Sequence, residues 1–191
     1  MRWLTLSLMF LSVQGFAAVD KKIDTAKSEV KWAGKHVKII PGDGHFGIVK
    51  IKSGSIKMEK DNVVGGEIII DLNSIEDLDL KTPKDKAKLE GHLKSPDFFS
   101  VEKFPTAKLV IVSASPVIAG KSTVTGKLTI RDKTEVVTFP VTTSNAGMSA
   151  SGKLTFDRTK FGAEYGSLLS LPMDKAIAND IVLDFNIVLK S

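Results

Sequence analysis

The side chains able to do chemistry in this chain are sparse. Three imidazoles, His36, His45 and His92, are the candidate zinc ligands, because zinc accepts three imidazoles plus a water. They share no tight spacing. Two lie in the first third of the chain and His92 lies beyond a separate segment, so the pattern predicts no metal site. The sequence contains no Cys, which removes thiolate ligands, thiol nucleophiles and disulfides. Ser28-Glu29-Val30-Lys31 has the Ser-x-x-Lys spacing of penicillin-interacting enzymes, but the companion motifs are missing and the segment reads as a strand. Gly120-Lys121-Ser122 looks like the end of a phosphate loop, yet Ser115 stands where that motif needs its first Gly, and a hairpin follows in place of a helix. No Gly-x-Ser-x-Gly elbow occurs. No cofactor is expected, and no catalytic residue is assigned. His92 with Asp97 is the one nearby acid–base couple, supported by proximity alone.

His92 and Asp97 belong to the densest unusual stretch, Gly91 to Ala107, which carries three large apolar anchors, Phe98, Phe99 and Phe104. A plug over one end of a larger structure would account for it. Just before it, Thr82-Pro83-Lys84-Asp85 reads as an N-cap, a first-turn Pro and an acidic partner, and Leu89 and Leu93 then repeat at helical spacing. A short helix near residues 83–92 is predicted.

The elements around that helix have period two. From Ser122 to Arg131, Val124, Gly126, Leu128 and Ile130 alternate with Thr and Lys; Leu154 and Phe156 share a face from Met148 to Asp157; Ile181, Leu183, Phe185, Ile187 and Leu189 share one at the C-terminus. Weaker strands are predicted at 29–40, 45–60, 63–72, 107–118 and 134–143, separated by turn signals such as Pro41-Gly42-Asp43-Gly44 and Asn145-Ala146-Gly147. In the second of these the apolar phase flips at Ser53-Gly54, which predicts a β-bulge. About eight strands result, wet on one face and greasy on the other. Such a sheet avoids open edges by closing, so the fold class is an all-β antiparallel barrel. Pro140 cannot donate to a ladder and implies an irregular seam. Eight strands leave an interior that side chains just fill or that holds one small ligand, and alternation alone does not choose between them.

The N-terminus predicts export. Met1-Arg2, an apolar run from Trp3 to Val13 and Gly15-Phe16-Ala17 form a signal peptide over residues 1–17, cleaved to leave one domain over 18–191. The run is too short to span a bilayer, and no later stretch reaches about 20 apolar residues. Loss of Arg2 lowers the formal charge from +5 to +4. The Lys residues are scattered singly along wet faces, so nucleic acid is not an expected partner and no stable membrane insertion is expected.

One family pattern fits most of these features. His92-Leu93-Lys94-Ser95, Asp97-Phe98-Phe99 and Phe104-Pro105-Thr106-Ala107 resemble the signature of the YceI-like family of exported polyisoprenoid-binding proteins. Gly126-Lys127-Leu128-Thr129-Ile130, Asp157-Arg158-Thr159-Lys160-Phe161-Gly162 and His45-Phe46-Gly47 are similar to shorter family motifs. The resemblance implies a lipocalin-like barrel in the periplasm that binds and transports or stores an amphiphilic isoprenoid, of polyprenyl or isoprenoid-quinone type, without catalysis. Family members often have His in an early Asp-x-x-His-Ser segment; here Lys27 takes that place, so no role of that His carries over. The expected ligand-binding residues are Leu128, Ile130, Leu154, Phe156, Leu183, Phe185 and Ile187 on the dry faces with Phe98 and Phe99, and His92, Asp97 and Arg158 for the polar head. An enzyme acting on a similar lipid and a solidly packed envelope interaction domain are the alternatives, and dimerisation is left open.

Overall fold

The structure is a computed structural model that describes residues 17–37, 44–144, 147–167 and 176–190. The apolar run of the expected signal peptide, the end of the strand predicted to Ile40, and most of the Pro41–Gly44 and Asn145–Gly147 turns lie outside the described residues. The chain forms β1 (Val19–Lys22), β2 (Glu29–His36), β3 (His45–Glu59), β4 (Asn62–Asp77), helix α1 (Pro83–Lys94), β5 (Thr106–Ala114), β6 (Lys121–Ile130), β7 (Lys133–Ser144), β8 (Ser149–Asp157), a 3₁₀ turn (Arg158–Phe161) and β9 (Ile177–Val188).

The strands close into an antiparallel barrel. Around the ring the order is β3, β2, β9, β8, β7, β6, β5, β4, and β4 pairs back onto β3. The ring has eight positions because β1 and β2 lie end to end along one side of the long β3: Val30 pairs with Val49, and Val19 pairs with Met58. β1 is a strand that alternation could not reveal, since Val19-Asp20-Lys21-Lys22 holds a single apolar residue.

The expected bulge in β3 is present. The β3–β4 register slips between Ile51 and Ser53, and as a result Val49 and Ile51 before the slip and Ile56 and Met58 after it are all buried. A second slip extends β4 past its predicted end at Leu72. There Ser74 breaks the ladder by accepting the Lys50 N–H (2.8 Å) and donating to the Asp71 carbonyl (2.6 Å). Ile75 is buried beyond this bulge, on the opposite sequence phase from Ile68 and Leu72, so the alternation breaks where the strand continues.

The seam that Pro140 implied lies between β7 and β8. Their ladder covers four pairs, from Ser144 with Ser149 to Val141 with Gly152, and stops at Pro140. A Cβ on Gly152 would lie 2.4 Å from the Pro140 carbonyl and 2.9 Å from Phe185 Cζ, so Gly is required where the strands approach before parting. Below the split, the 3₁₀ turn packs against β7 and β9.

Helix α1 is built as its sequence dictates. Thr82 Oγ1 accepts the Asp85 N–H at 3.1 Å and bonds the Asp85 carboxylate at 2.6 Å, with Pro83 in the first turn. Its apolar stripe is narrow, with Leu93 buried and Leu89 half-buried. The helix packs against β4 at one end of the barrel. After it, Ser100 N–H to the Ser95 carbonyl (2.8 Å) and Val101 N–H to the Lys94 carbonyl (2.9 Å) fold Ser95–Phe104 into consecutive tight turns that bury Phe98 and Val101.

Candidate functional site: an apolar barrel interior

The inward face of the sheet does not meet itself at the centre. Two chambers occupy the interior, of about 150 Å³ at the α1 end and about 130 Å³ at the opposite end. Ile70, Leu128 and Leu183 line both and form the waist between them. The near chamber is walled by Trp32, Val49, Leu72, Ile75, Ile181 and the residues above α1; the far chamber by Ile56, Met58, Ile111, Phe139, Val141 and Leu189 among others. Each chamber has room for on the order of ten waters, yet a buried water needs two to four polar partners. These walls offer almost none. Such a space is stable either dry or filled by a greasy molecule, and the second recovers the dispersion contacts that an empty wall forfeits.

Ten of the twelve residues expected at the site line the chambers. His92, Phe98, Phe99, Ile130 and Phe156 line the near one, Leu154, Phe185 and Ile187 the far one, and Leu128 and Leu183 the waist. Asp97 and Arg158 line neither. Asp97 is exposed, and its N–H donates to Ser95 Oγ (3.3 Å) in the turn after α1. Arg158 serves the fold instead. It is fully buried, and its guanidinium donates from Nε to the Ala178 carbonyl (3.1 Å), from Nη2 to the Ile177 carbonyl (3.2 Å) and from Nη1 to the Ala163 carbonyl. Its cation also sits 5.0 Å over the ring of Phe98. Burial pushes its pKa below the usual guanidinium value, opposed by the neighbouring Asp157 carboxylate; an arginine stays charged nonetheless. The charge is spent on holding the start of β9 to the 3₁₀ turn. Asp157 itself caps that turn, accepting the Thr159 N–H (2.9 Å) and hydroxyl (2.6 Å).

Among the described residues, His92 brings to the near chamber a ring nitrogen, Nε2, that has no hydrogen-bond partner. Its ring stands edge-on to Tyr165 at 4.5 Å and to Phe98 at 5.3 Å, and its Nε2 is buried without a partner. A buried imidazole nitrogen left unpaired costs about 1–3 kcal/mol. Tyr165 is 51% exposed, outward of His92; no pattern in the sequence marks it, since it stands alone in a polar turn. Arg131 ties this aromatic cluster to the 3₁₀ turn, donating from Nη1 to the carbonyls of Phe98 (3.2 Å) and Gly162 (2.6 Å).

His36 and His45 line the near chamber as well, so all three imidazoles surround one space. They do not converge on one point. Among the described residues, the three-membered group of potential metal ligands that comes together contains His45 and none of the other imidazoles. Also among the described residues, no helix is long and apolar enough to cross a membrane.

Comparison with known proteins agrees with this architecture. A UPF0312 protein of Photorhabdus laumondii subsp. laumondii, plu2095, is 26% identical over 173 residues, covering 85% of this chain and 86% of its own length. The crystal structure of Burkholderia cenocepacia BcnA superposes with a TM-score of 0.65 at 24% identity, over 88% of this chain and 99% of that one. That of a Campylobacter jejuni YCEI protein superposes with a TM-score of 0.51 at 15% identity, over 100% and 99% of the two chains. These likenesses concern the fold. The pattern of the YceI-like domain matches residues 22–189, nearly the whole barrel, and the chain belongs to the YceI-like domain family.

Proposed function

We propose that this protein is a non-catalytic carrier or reservoir for a single-chain amphiphilic lipid of isoprenoid type, exported to the periplasm as one domain after loss of residues 1–17. The observation that carries the reading is the pair of apolar chambers that share Ile70, Leu128 and Leu183 in their walls, with the unpartnered Nε2 of His92 at the α1 end. A greasy chain threaded through the waist fills both chambers. Its polar head then meets His92, which can accept from a hydroxyl or donate to a quinone oxygen according to its tautomer. Each buried CH₂ contributes about 0.8 kcal/mol, so tail burial supplies most of the affinity and His92 selects the head.

Catalysis on the same lipid would need a partner acid or base for His92. Asp97 is exposed and lines neither chamber, which favours carriage. Native mass spectrometry and organic extraction of the protein from its own host test the reading: a co-purified isoprenoid, or saturable uptake of a polyprenyl or quinone probe, is expected. Repeated recovery of empty protein that takes up no such probe would sink it.

A further inference from the structure

We propose that His45, Asp77 and Asp79 form a binding site for one divalent first-row transition cation, such as zinc or manganese, at the rim of the barrel beside the near chamber.

The site follows from strand register. Gly47 pairs with Asp77 across β3 and β4, so in an antiparallel ladder His45, two residues before Gly47, comes opposite Asp79, two residues after Asp77. The Leu78 N–H to the Phe46 carbonyl (3.0 Å) continues the pairing. His45 Nδ1 consequently lies 3.0 Å from Asp79 Oδ2. One ligand atom from each of His45, Asp77 and Asp79 falls within 4.8 Å of the others. Metal–ligand bonds of about 2.0–2.2 Å in tetrahedral geometry separate ligand atoms by about 3.4 Å. The three groups therefore need small side-chain rotations to share one ion.

A second observation points the same way. Asp77 is fully buried; its Oδ1 accepts the Leu80 N–H at 2.9 Å, while its Oδ2 has no donor. Asp79 by contrast is held by its other oxygen, Oδ1, which accepts the Phe46 N–H at 2.7 Å. Each carboxylate thus has one oxygen fixed by backbone; the other oxygen of Asp79 meets His45 Nδ1, and that of Asp77 has no partner. Helix α1 contributes Lys86, whose Nζ donates to the Asp77 carbonyl (3.0 Å), and Glu90, whose carboxylate accepts the Asp77 N–H (3.0 Å). Their charges offset, so the two Asp set the local sign. One imidazole and two carboxylates suit zinc, manganese or ferrous iron, and the partial exposure of His45 and Asp79 leaves room for water to complete the shell. The proposal is independent of the lipid reading.

The test is metal titration of the chelator-stripped, purified protein by calorimetry, with Zn²⁺ and Mn²⁺ in turn. One equivalent is expected to bind and to raise the melting temperature. Asp77→Asn keeps an acceptor for Leu80, so it should fold as well as the parent yet bind metal at least tenfold more weakly. His45→Gln, at a partly exposed position, gives the same test should Asp77→Asn fail to fold. His92→Ala should retain the full equivalent. Absence of stoichiometric binding by the parent, undiminished binding in His45→Gln, or loss in His92→Ala would each overturn the proposal.

Discussion

Leu183 is the position at which the interior can be divided without dismantling the barrel. It lines both chambers and stands on β9 between Trp32 of β2 and Leu154 of β8. Leu183→Trp projects an indole across the waist, against Ile70 and Leu128. Overpacking a filled core costs about 1–3 kcal/mol, and here the chambers on either side absorb part of the added volume, so the variant should lose no more than the low end of that range in a thermal melt. Its effect on the ligand is larger. A tail that stops at the waist forfeits the far chamber, about 130 Å³ against about 150 Å³ in the near one. Each isoprene unit denied burial forfeits roughly 3 kcal/mol, about a hundredfold in Kd. The assay is displacement of a fluorescent lipid by isoprenoid alcohols of increasing unit count. Affinity for the parent should climb with chain length until both chambers are filled; for Leu183→Trp it should level off earlier, and short alcohols should bind the two proteins alike. If the two length profiles coincide while the variant is folded, the chambers are not one path for a chain and the reasoning fails.

Three further substitutions separate structure from binding. His92→Leu removes the unpaired Nε2, so the melting temperature should hold or rise, while affinity for a hydroxyl- or quinone-headed lipid falls about tenfold and affinity for a plain hydrocarbon is unchanged; equal losses for both probes would assign His92 to packing. Arg158→Met strands one buried and two part-buried carbonyls and should cost about 3 kcal/mol in denaturant unfolding, before any binding is measured. Gly47→Ala would place a Cβ 1.9 Å from the Glu76 carbonyl and 2.8 Å from the Trp32 ring, and the forced shift should cost about 3 kcal/mol by the same measurement; an unchanged midpoint would show that β3 and β4 part there more easily than their register suggests.

The barrel is legible in the sequence because its signals are local. Alternation in Ser122–Arg131 and Ile181–Leu189 is written residue by residue, and the flip at Ser53-Gly54 announces its own bulge. What stays hidden depends on partners distant in sequence. β4 runs past Leu72 because Ser74 reaches across to the Lys50 amide, and no feature of Leu72-Asn73-Ser74-Ile75 alone reports that. Trp32, Ile70 and Ile75 join the chamber walls for the same reason: their inward direction is set by ladders to β9, β5 and β3. The hollowness itself is a property of closure. The same alternation lines a filled barrel, and the two chambers arise on either side of Ile70, Leu128 and Leu183, where the inward side chains fail to fill the width that eight staggered strands impose.

His92 and Arg158 show why the polar half of the site resists reading from sequence. Both are expected at a ligand head, and both contact the ring of Phe98, one edge-on and one above it. They differ in whether the protein satisfies them. The guanidinium presents a rigid fork of donors, and Ala163 just past the 3₁₀ turn with Ile177 and Ala178 at the start of β9 supply three carbonyls that accept from it, on a side chain that lines neither chamber. The imidazole has no acceptor or donor at Nε2, although it is enclosed by the same cluster. A folded chain that leaves one nitrogen unpaired inside an otherwise apolar wall forgoes about 1–3 kcal/mol, and a ligand that pairs it recovers that sum on binding. Hydrogen-bond satisfaction, which depends on backbone oxygens that no side-chain pattern displays, is therefore the property that divides the structural cation from the imidazole whose Nε2 has no partner.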